Sequence, residues 1–172
     1  MVPETGTTFE ENAALKAISY ARMTGLVAMA DDSGLEVDVL GGEPGVFSSR
    51  YAGVKASDTK RIEFLLHKLY DFQEEDLSAR FRCVIAIARP DGSVDISSGE
   101  CVGKVIKVPR GENGFGYDPI FLLPGLNRTM AELTPEQKNH LSHRAKAAQK
   151  LTKVLTRETV YQKHVKDVST NI

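Results

Sequence analysis

Asp31 and Asp32, in the stretch Ala30-Asp31-Asp32-Ser33-Gly34-Leu35, are the side chains whose placement most suggests chemistry. They follow the apolar run Leu26 to Ala30, which reads as a short buried strand. Adjacent carboxylates at the end of such a strand are costly to bury unless they bind something. Successive side chains of an extended chain point to opposite faces, so the pair should divide its work. One faces a ligand or a metal, and the other braces a turn made by Ser33-Gly34. The plainer alternative is a strand that ends in a polar Asx-type turn.

Gly111-Glu112-Asn113-Gly114-Phe115-Gly116-Tyr117-Asp118-Pro119 is the second such stretch. Its glycines could cradle phosphate, but it leads into the apolar run Ile120 to Leu123, which reads as a strand. The phosphate-loop and dinucleotide fingerprints both need a helix N-terminus there, and both are rejected. What remains is an aromatic between glycines, which suits a flat ligand stacked on Phe115 as well as it suits turn packing.

Further along, Lys138 and His143 are five residues apart and would lie off a common face of a straight helix. If both serve one site, the helix must break near Asn139 to Leu141. Ser142 then caps a second helix, with His143 and Arg144 in its first turn. That arrangement aims donors and free backbone N–H groups at an anionic or carbonyl-rich ligand. The alternative is one continuous helix with both side chains on its solvated face.

The elements that must position these groups can be read around them. Thr7 and Thr8 are N-cap candidates with Glu10 and Glu11 in capping-box spacing, and the helix they open stops at Gly25. Phe9, Ala13, Ala17 and Tyr20 form its apolar stripe; Asn12 and Lys16 lie beside it, where Lys16 either meets a phosphate or snorkels into solvent. Leu35 to Leu40 alternates as a second strand. Ser57 or Asp58 caps a helix bearing Ile62, Leu65, Leu66 and Leu69, to which no chemistry is assigned.

Phe81, Cys83, Ile85 and Ile87 share a strand face, Pro90-Asp91-Gly92-Ser93 turns, and Val94 to Val108 returns as a long strand bent at Gly99 or Gly103. A hairpin this long needs a helix layer over it, so a mixed α/β or α+β fold is expected. Thr134-Pro135-Glu136-Gln137 starts a helix whose stripe is Leu141, Ala145, Ala148, Leu151 and Leu155; a polar tail runs from Thr156 to Ile172.

Whole-chain properties bound the function. The 172 residues suit one domain, 1–172, and a formal net charge of −1 argues against a general nucleic-acid binder. Cys83 and Cys101 have no metal or CxxC spacing and read as free thiols of a reducing cytosol. No signal peptide or apolar run of membrane length is evident, so a soluble, cytoplasmic protein without a membrane partner is expected. No serine or cysteine triad is legible, and His67, His140, His143 and His164 lack zinc spacing. The acidic Glu4, Asp31 and Asp32, the cations Lys16, Lys138 and Arg144, and Phe115 suggest a nucleotide phosphate site. There a hard divalent cation is held by carboxylates together with phosphates, and metal-assisted attack of water on phosphorus would fit.

Glu4-Thr5-Gly6…Phe9-Glu10-Glu11-Asn12-Ala13…Lys16, the Asp31-Asp32 stretch, Gly114 to Pro119 and Ser142-His143-Arg144 closely resemble the inosine/xanthosine triphosphate pyrophosphatase family. The resemblance implies an α/β fold: an elongated, twisted mixed sheet flanked by helices, in two lobes with the active-site cleft between them. It implies Mg²⁺-dependent hydrolysis of inosine, deoxyinosine and xanthosine triphosphates to the monophosphate and pyrophosphate, by a homodimer. Asp32 would be the catalytic carboxylate and a Mg²⁺ ligand, with Glu4 the second ligand. Lys16 would bind the triphosphate and Ser33 would touch substrate. Phe115 would stack on the base, followed by Gly116, Tyr117 and Asp118, while Lys138, His143 and Arg144 would recognise it.

The family's opening strand and Thr-Gly-Asn-x-x-Lys phosphate loop have no counterpart before Glu4. This leaves two rival expectations: an internal start within a longer active chain, or a catalytically impaired nucleotide-binding or dimerising remnant. A hydrolase of another nucleotide, such as a modified pyrimidine triphosphate, is a third.

Overall fold

Thr8 opens the first helix, α1 (Phe9–Thr24), with a reciprocal capping box: its hydroxyl accepts the Glu11 N–H at 3.1 Å, and the Glu11 carboxylate accepts the Thr8 N–H at 3.2 Å. Gly25 closes it in the left-handed conformation, φ 68°, with its N–H on the Ala21 carbonyl at 2.9 Å. This is a computed structural model that describes residues 2–153; Leu155 and the tail from Thr156 to Ile172 lie outside the described residues. The buried face of α1 is Phe9, Asn12, Ala13, Ala17 and Ala21; Ala21 replaces the expected Tyr20, which is exposed.

The strands are β1 (Ala28–Val37), β2 (Ser78–Ala88), β3 (Val94–Val105), β4 (Phe121–Leu123) and β5 (Arg128–Thr129), in that order across one sheet. Helix layers flank the sheet, as a mixed α/β fold requires. Every pairing among the described residues is antiparallel, where a mixed sheet was expected. On one face α1 lays its alanines against Val84, Ala86 and Ala88, with Ala28 and Ala30 of β1 at the margin. Small side chains on both surfaces let the helix sit close to the sheet. The opposite face carries Leu35, Val37, Phe81 and Val105 under α2 (Asp58–Lys68), which contributes Ile62 and Leu65.

The Asp-Asp stretch corrects the sequence reading. No turn separates two strands there: β1 runs straight through, pairing Asp31 with Ile85, Asp32 with Val84, Ser33 with Cys83 and Gly34 with Arg82. Continuous ladder bonding keeps the segment extended. Gly34 is required by close packing, because a β-carbon would overlap the Gly45 carbonyl and the Ser48 hydroxyl. The residues expected to end the second strand, Asp38–Leu40, form a turn of 3-10 helix, as do Gly45–Arg50.

β3 ends at Val105 rather than Val108, and its register with β2 is unbroken through Gly99 and Gly103. These glycines also admit neighbours: a β-carbon at Gly99 would overlap the His143 carbonyl and the Ala147 amide, and one at Gly103 the Leu122 carbonyl.

Helix α3 (Pro135–Leu141) starts at Thr134 with the expected capping box and stops at Ser142, whose backbone is extended at φ −67°, ψ 156°. Residues 143–153 then form α4. The Ser142 hydroxyl accepts the Ala145 N–H at 3.2 Å and its carbonyl accepts the Lys146 N–H at 3.0 Å, so Ser142 caps the second helix. The break resets the helical phase. Ala147 and Leu151 are buried against Cys83, Ile85 and Ile87, while Leu141 and Ala148, expected in one stripe, are exposed.

Candidate active site

Asp32 points to the α1 face of the sheet and is mostly buried. Its Oδ1 accepts from Lys16 Nζ at 3.1 Å and its Oδ2 from the buried Asn12 Nδ2 at 3.3 Å. The same Lys16 ammonium donates to Glu4 Oε1 at 2.8 Å, and Glu4 Oε2 accepts from Arg50 Nη1 at 2.9 Å. Asn12 also accepts the Gly6 N–H at 2.8 Å, which ties the segment carrying Glu4 to α1.

The two carboxylates thus converge on one cation. Burial raises the Asp32 pKa against the opposing pull of Lys16. The Lys16 hydrogen bond leads in holding Glu4 low. Burial acts against the Lys16 ammonium, but the hydrogen bonds and charges of Glu4 and Asp32 outweigh it and leave its pKa raised.

Ser33 points to the other face of β1 and lines a cleft of about 730 Å³. Its walls are Ser33–Leu35 of β1, Ser48 and Ser49 of the 3-10 helix, Asp58 and Arg61 of α2, the loop Asn113–Asp118, and α3 with the start of α4. Phe115 stands in this loop, more than half exposed. Lys138 Nζ lies 4.9 Å and Arg144 Cζ 5.2 Å from the ring centroid. Asp118 is buried, pairs with Lys138, and accepts the Phe115 N–H at 2.9 Å. Gly114, at φ +86°, leaves the room this pair occupies: a β-carbon there would overlap the Asp118 carboxylate.

The helix break at Ser142 brings His143 and Arg144 to the cleft beside Lys138, the first of the two arrangements the sequence left open. His143 is buried, stacks on Phe81 at 4.9 Å and 17°, and its Nδ1 has no hydrogen-bond partner. Burial first, and then the charges of Arg144 and Lys138, push its pKa down to about 3, so the ring is neutral at neutral pH. Arg144 Nε donates to Asp31 Oδ2 at 3.2 Å, which also accepts from Ser33 Oγ at 3.2 Å. Asp31 therefore braces the second cluster while Asp32 belongs to the first.

The predicted residues fall into two groups on opposite faces of β1. Glu4, Lys16 and Asp32 form one; Ser33, Phe115, Gly116, Asp118, Lys138, His143 and Arg144 line the cleft. Tyr117 reaches the cleft but belongs to the core: it is buried and its hydroxyl donates to the Ser48 carbonyl at 3.1 Å. Burial drives that hydroxyl's pKa up, so it stays a neutral donor.

Sequence reasoning missed Asn12 and Arg50, both within the Lys16 cluster, and Asp58 with Arg61 on the cleft wall. Asn12 sits four residues before Lys16 on one helix face, a signal that was available. Arg50 ends the 3-10 helix Gly45–Arg50, a stretch without a clear helical or strand periodicity in the sequence.

Fold and site define an α/β protein with a carboxylate–ammonium cluster on one side of β1 and, on the other, a cleft lined by the exposed Phe115 and the cations Lys138 and Arg144. Residues 1–154 match the Ham1 family, and the chain belongs to it. It is 49% identical over 154 residues to the dITP/XTP pyrophosphatase of Bacillus licheniformis, covering 90% of this chain and 79% of that protein. It is 48% identical over 154 residues to the dITP/XTP pyrophosphatase of Bacillus subtilis, covering 90% and 78%. Among solved structures, a HAM1 protein from Coxiella burnetii superposes with a TM-score of 0.86 at 50% identity, covering 91% of this chain and 82% of that one. The Staphylococcus aureus Ham1 protein gives 0.88 at 48% identity, covering 92% and 81%.

Proposed function

We propose that this chain hydrolyses non-standard purine nucleoside triphosphates (ITP, dITP and XTP) to the monophosphate and pyrophosphate, clearing them from the nucleotide pool. The observation that carries the reading is the pairing of Phe115, under Lys138 and Arg144, with the Glu4–Lys16–Asp32 cluster across one strand. The relatives' activity on dITP and XTP supports it.

The cleft suits an oxopurine. The ring of Phe115 offers a face for stacking, and the groups around it, Lys138, Arg144 and His143, are donors or carry an unmet hydrogen bond. Hypoxanthine and xanthine present a carbonyl at position 6, an acceptor; adenine presents an amino group there. A donor-lined site loses affinity for the ligand that leaves its donors unpaired.

Hydrolysis to a monophosphate and pyrophosphate breaks the bond between the α-phosphorus and its bridging oxygen, with water supplying the new oxygen. Lys16 would exchange its carboxylate partners for a phosphate oxygen, and Arg50 would add a second positive charge near the leaving pyrophosphate. Asp32, whose proton affinity burial raises, would accept the proton of the attacking water.

The same cluster suits Mg²⁺. Glu4 and Asp32 direct oxygens at one cationic position, now filled by an ammonium. Among the described residues no group of three or more His, Cys, Asp and Glu could hold a metal, so phosphate and water would complete the coordination, as Mg²⁺ prefers. When bound, the ion would lower the charge on the phosphates and the pKa of a coordinated water. A homodimer, following the family resemblance, and a cytoplasmic location, following the free thiols Cys83 and Cys101, complete the proposal. Among the described residues no helix is long and apolar enough to cross a membrane.

The test is pyrophosphate release from ITP, dITP, XTP, ATP and GTP, with and without Mg²⁺. Preference for the first three, and loss of at least about a hundredfold in kcat in Asp32→Asn, is the expected result. Activity that survives Asp32→Asn unchanged would sink the mechanism.

A further inference from the structure

Phe115 is more than half exposed, so packing alone does little to hold it. The backbone holds it. The Phe115 N–H donates to Asp118 Oδ2 at 2.9 Å and the Gly116 N–H to Asp58 Oδ2 at 2.6 Å. Both anchors have one design, a carboxylate paired with a helix-borne cation: Asp118 with Lys138 of α3, Asp58 with Arg61 of α2. Asp118 adjoins the loop in sequence, whereas Asp58 reaches it from 58 residues away.

Asp58 is not needed to cap α2. Ser57 does that, its hydroxyl accepting the Lys60 N–H at 3.3 Å. Asp58 and Arg61 both line the cleft, and Arg61 Nε is buried without a hydrogen-bond partner. A buried donor left unmet is costly, and on a cleft wall an acceptor on a ligand can meet it.

We propose that Asp58 and Arg61 form a positioning pair for the stacking platform: Asp58 fixes the Phe115–Gly116 peptide, and Arg61 holds Asp58 while presenting its Nε–H to an acceptor on the purine nucleotide. The inference rests on the reading of the cleft as an oxopurine nucleotide site. Asp58 acts through the loop, so its loss weakens binding and leaves the phosphorus chemistry to the Lys16 cluster.

Two measurements test it. Amide hydrogen exchange at Gly116 in the ligand-free protein reads the anchor directly. Exchange accelerates at least about tenfold in Asp58→Ala and stays near wild type in Asp58→Asn, whose amide oxygen still accepts. Steady-state kinetics with ITP read the consequence. Asp58→Ala raises KM about tenfold with kcat within about twofold, and Asp58→Asn recovers most of that loss.

Arg61→Lys separates the two roles, because it keeps a charge for Asp58 but lacks the Nε–H. Gly116 exchange stays near wild type while KM rises at least about threefold. Unchanged Gly116 exchange in Asp58→Ala overturns the anchor, and an unchanged KM in Arg61→Lys overturns the donor role. A wild-type protein that does not cleave ITP counts against the proposed reaction alone, since the exchange comparison needs no substrate.

Discussion

His143 pays for its place at the cleft by giving up its charge. It is buried against Phe81, and burial first, then the charges of Arg144 and Lys138, push its pKa down to about 3. A histidine that titrates near 6.5 in the unfolded chain and near 3 in the fold leaves the unfolded state holding one more proton between those values. Stability from this group is therefore complete above about pH 6.5 and is lost as pH falls toward 3, by up to about 1.4 kcal/mol per pH unit. Replacing His143 with Gln removes the titration and keeps a polar side chain. Unfolding free energies from denaturant titrations at pH 7, 5.5 and 4.5 should fall more steeply for the wild type, by up to about 3 kcal/mol more than for the variant over that range. Parallel profiles would show that the ring carries its proton in the folded state.

At the scale of elements, the glycines decide which surfaces meet. Gly99 of β3 lets α4 approach until the His143 carbonyl and Ala147 amide fill the space of a side chain. An alanine there pushes α4 off the sheet, costing about 1–3 kcal/mol as overpacking does. It also carries His143 and Arg144 away from Phe115, so Gly99→Ala should lower Tm by several degrees and raise KM for ITP together. Gly125→Ala, where a β-carbon meets no atom within 4 Å, is the control and should change neither.

Those contacts were hidden from the sequence. Gly99 and Gly34 read there as a bend and a turn, because a single glycine signals conformational freedom and close approach in the same way. Local chemistry was legible: the Thr8 and Thr134 capping boxes, the β2–β3 hairpin, and Ser142 as the cap of a second helix if Lys138 and His143 share a site. The continuity of β1 was not, since β2, which imposes it, lies more than forty residues further along the chain. Asp58 was passed over for a related reason: beside Ser57 at the start of an amphipathic helix it reads as an N-cap candidate.

Across the whole molecule, the site is one strand with a different task on each side. Asp32 faces α1 and joins the Glu4–Lys16 cluster, and Ser33, the next residue, faces the cleft that holds Phe115. Among the described residues no hydrogen bond joins the Glu4–Lys16–Asp32 cluster to the Phe115 platform. What connects them is the β1 backbone, laddered to β2 from Ala28 to Val37, and the 3-10 helix that carries Ser49 to the cleft and Arg50 to Glu4. A strand pinned along its length transmits little displacement, so substitutions at the two ends should act independently. Lys16→Met removes a phosphate partner and Phe115→Leu removes the stacking face, and each should lower kcat/KM for ITP by at least about tenfold. In the double variant the losses should add in free energy within about 0.5 kcal/mol. An interaction energy above about 1 kcal/mol would mean that one end reorganises when the other is altered, and that the substrate closes the cleft around β1 instead of occupying a preformed one.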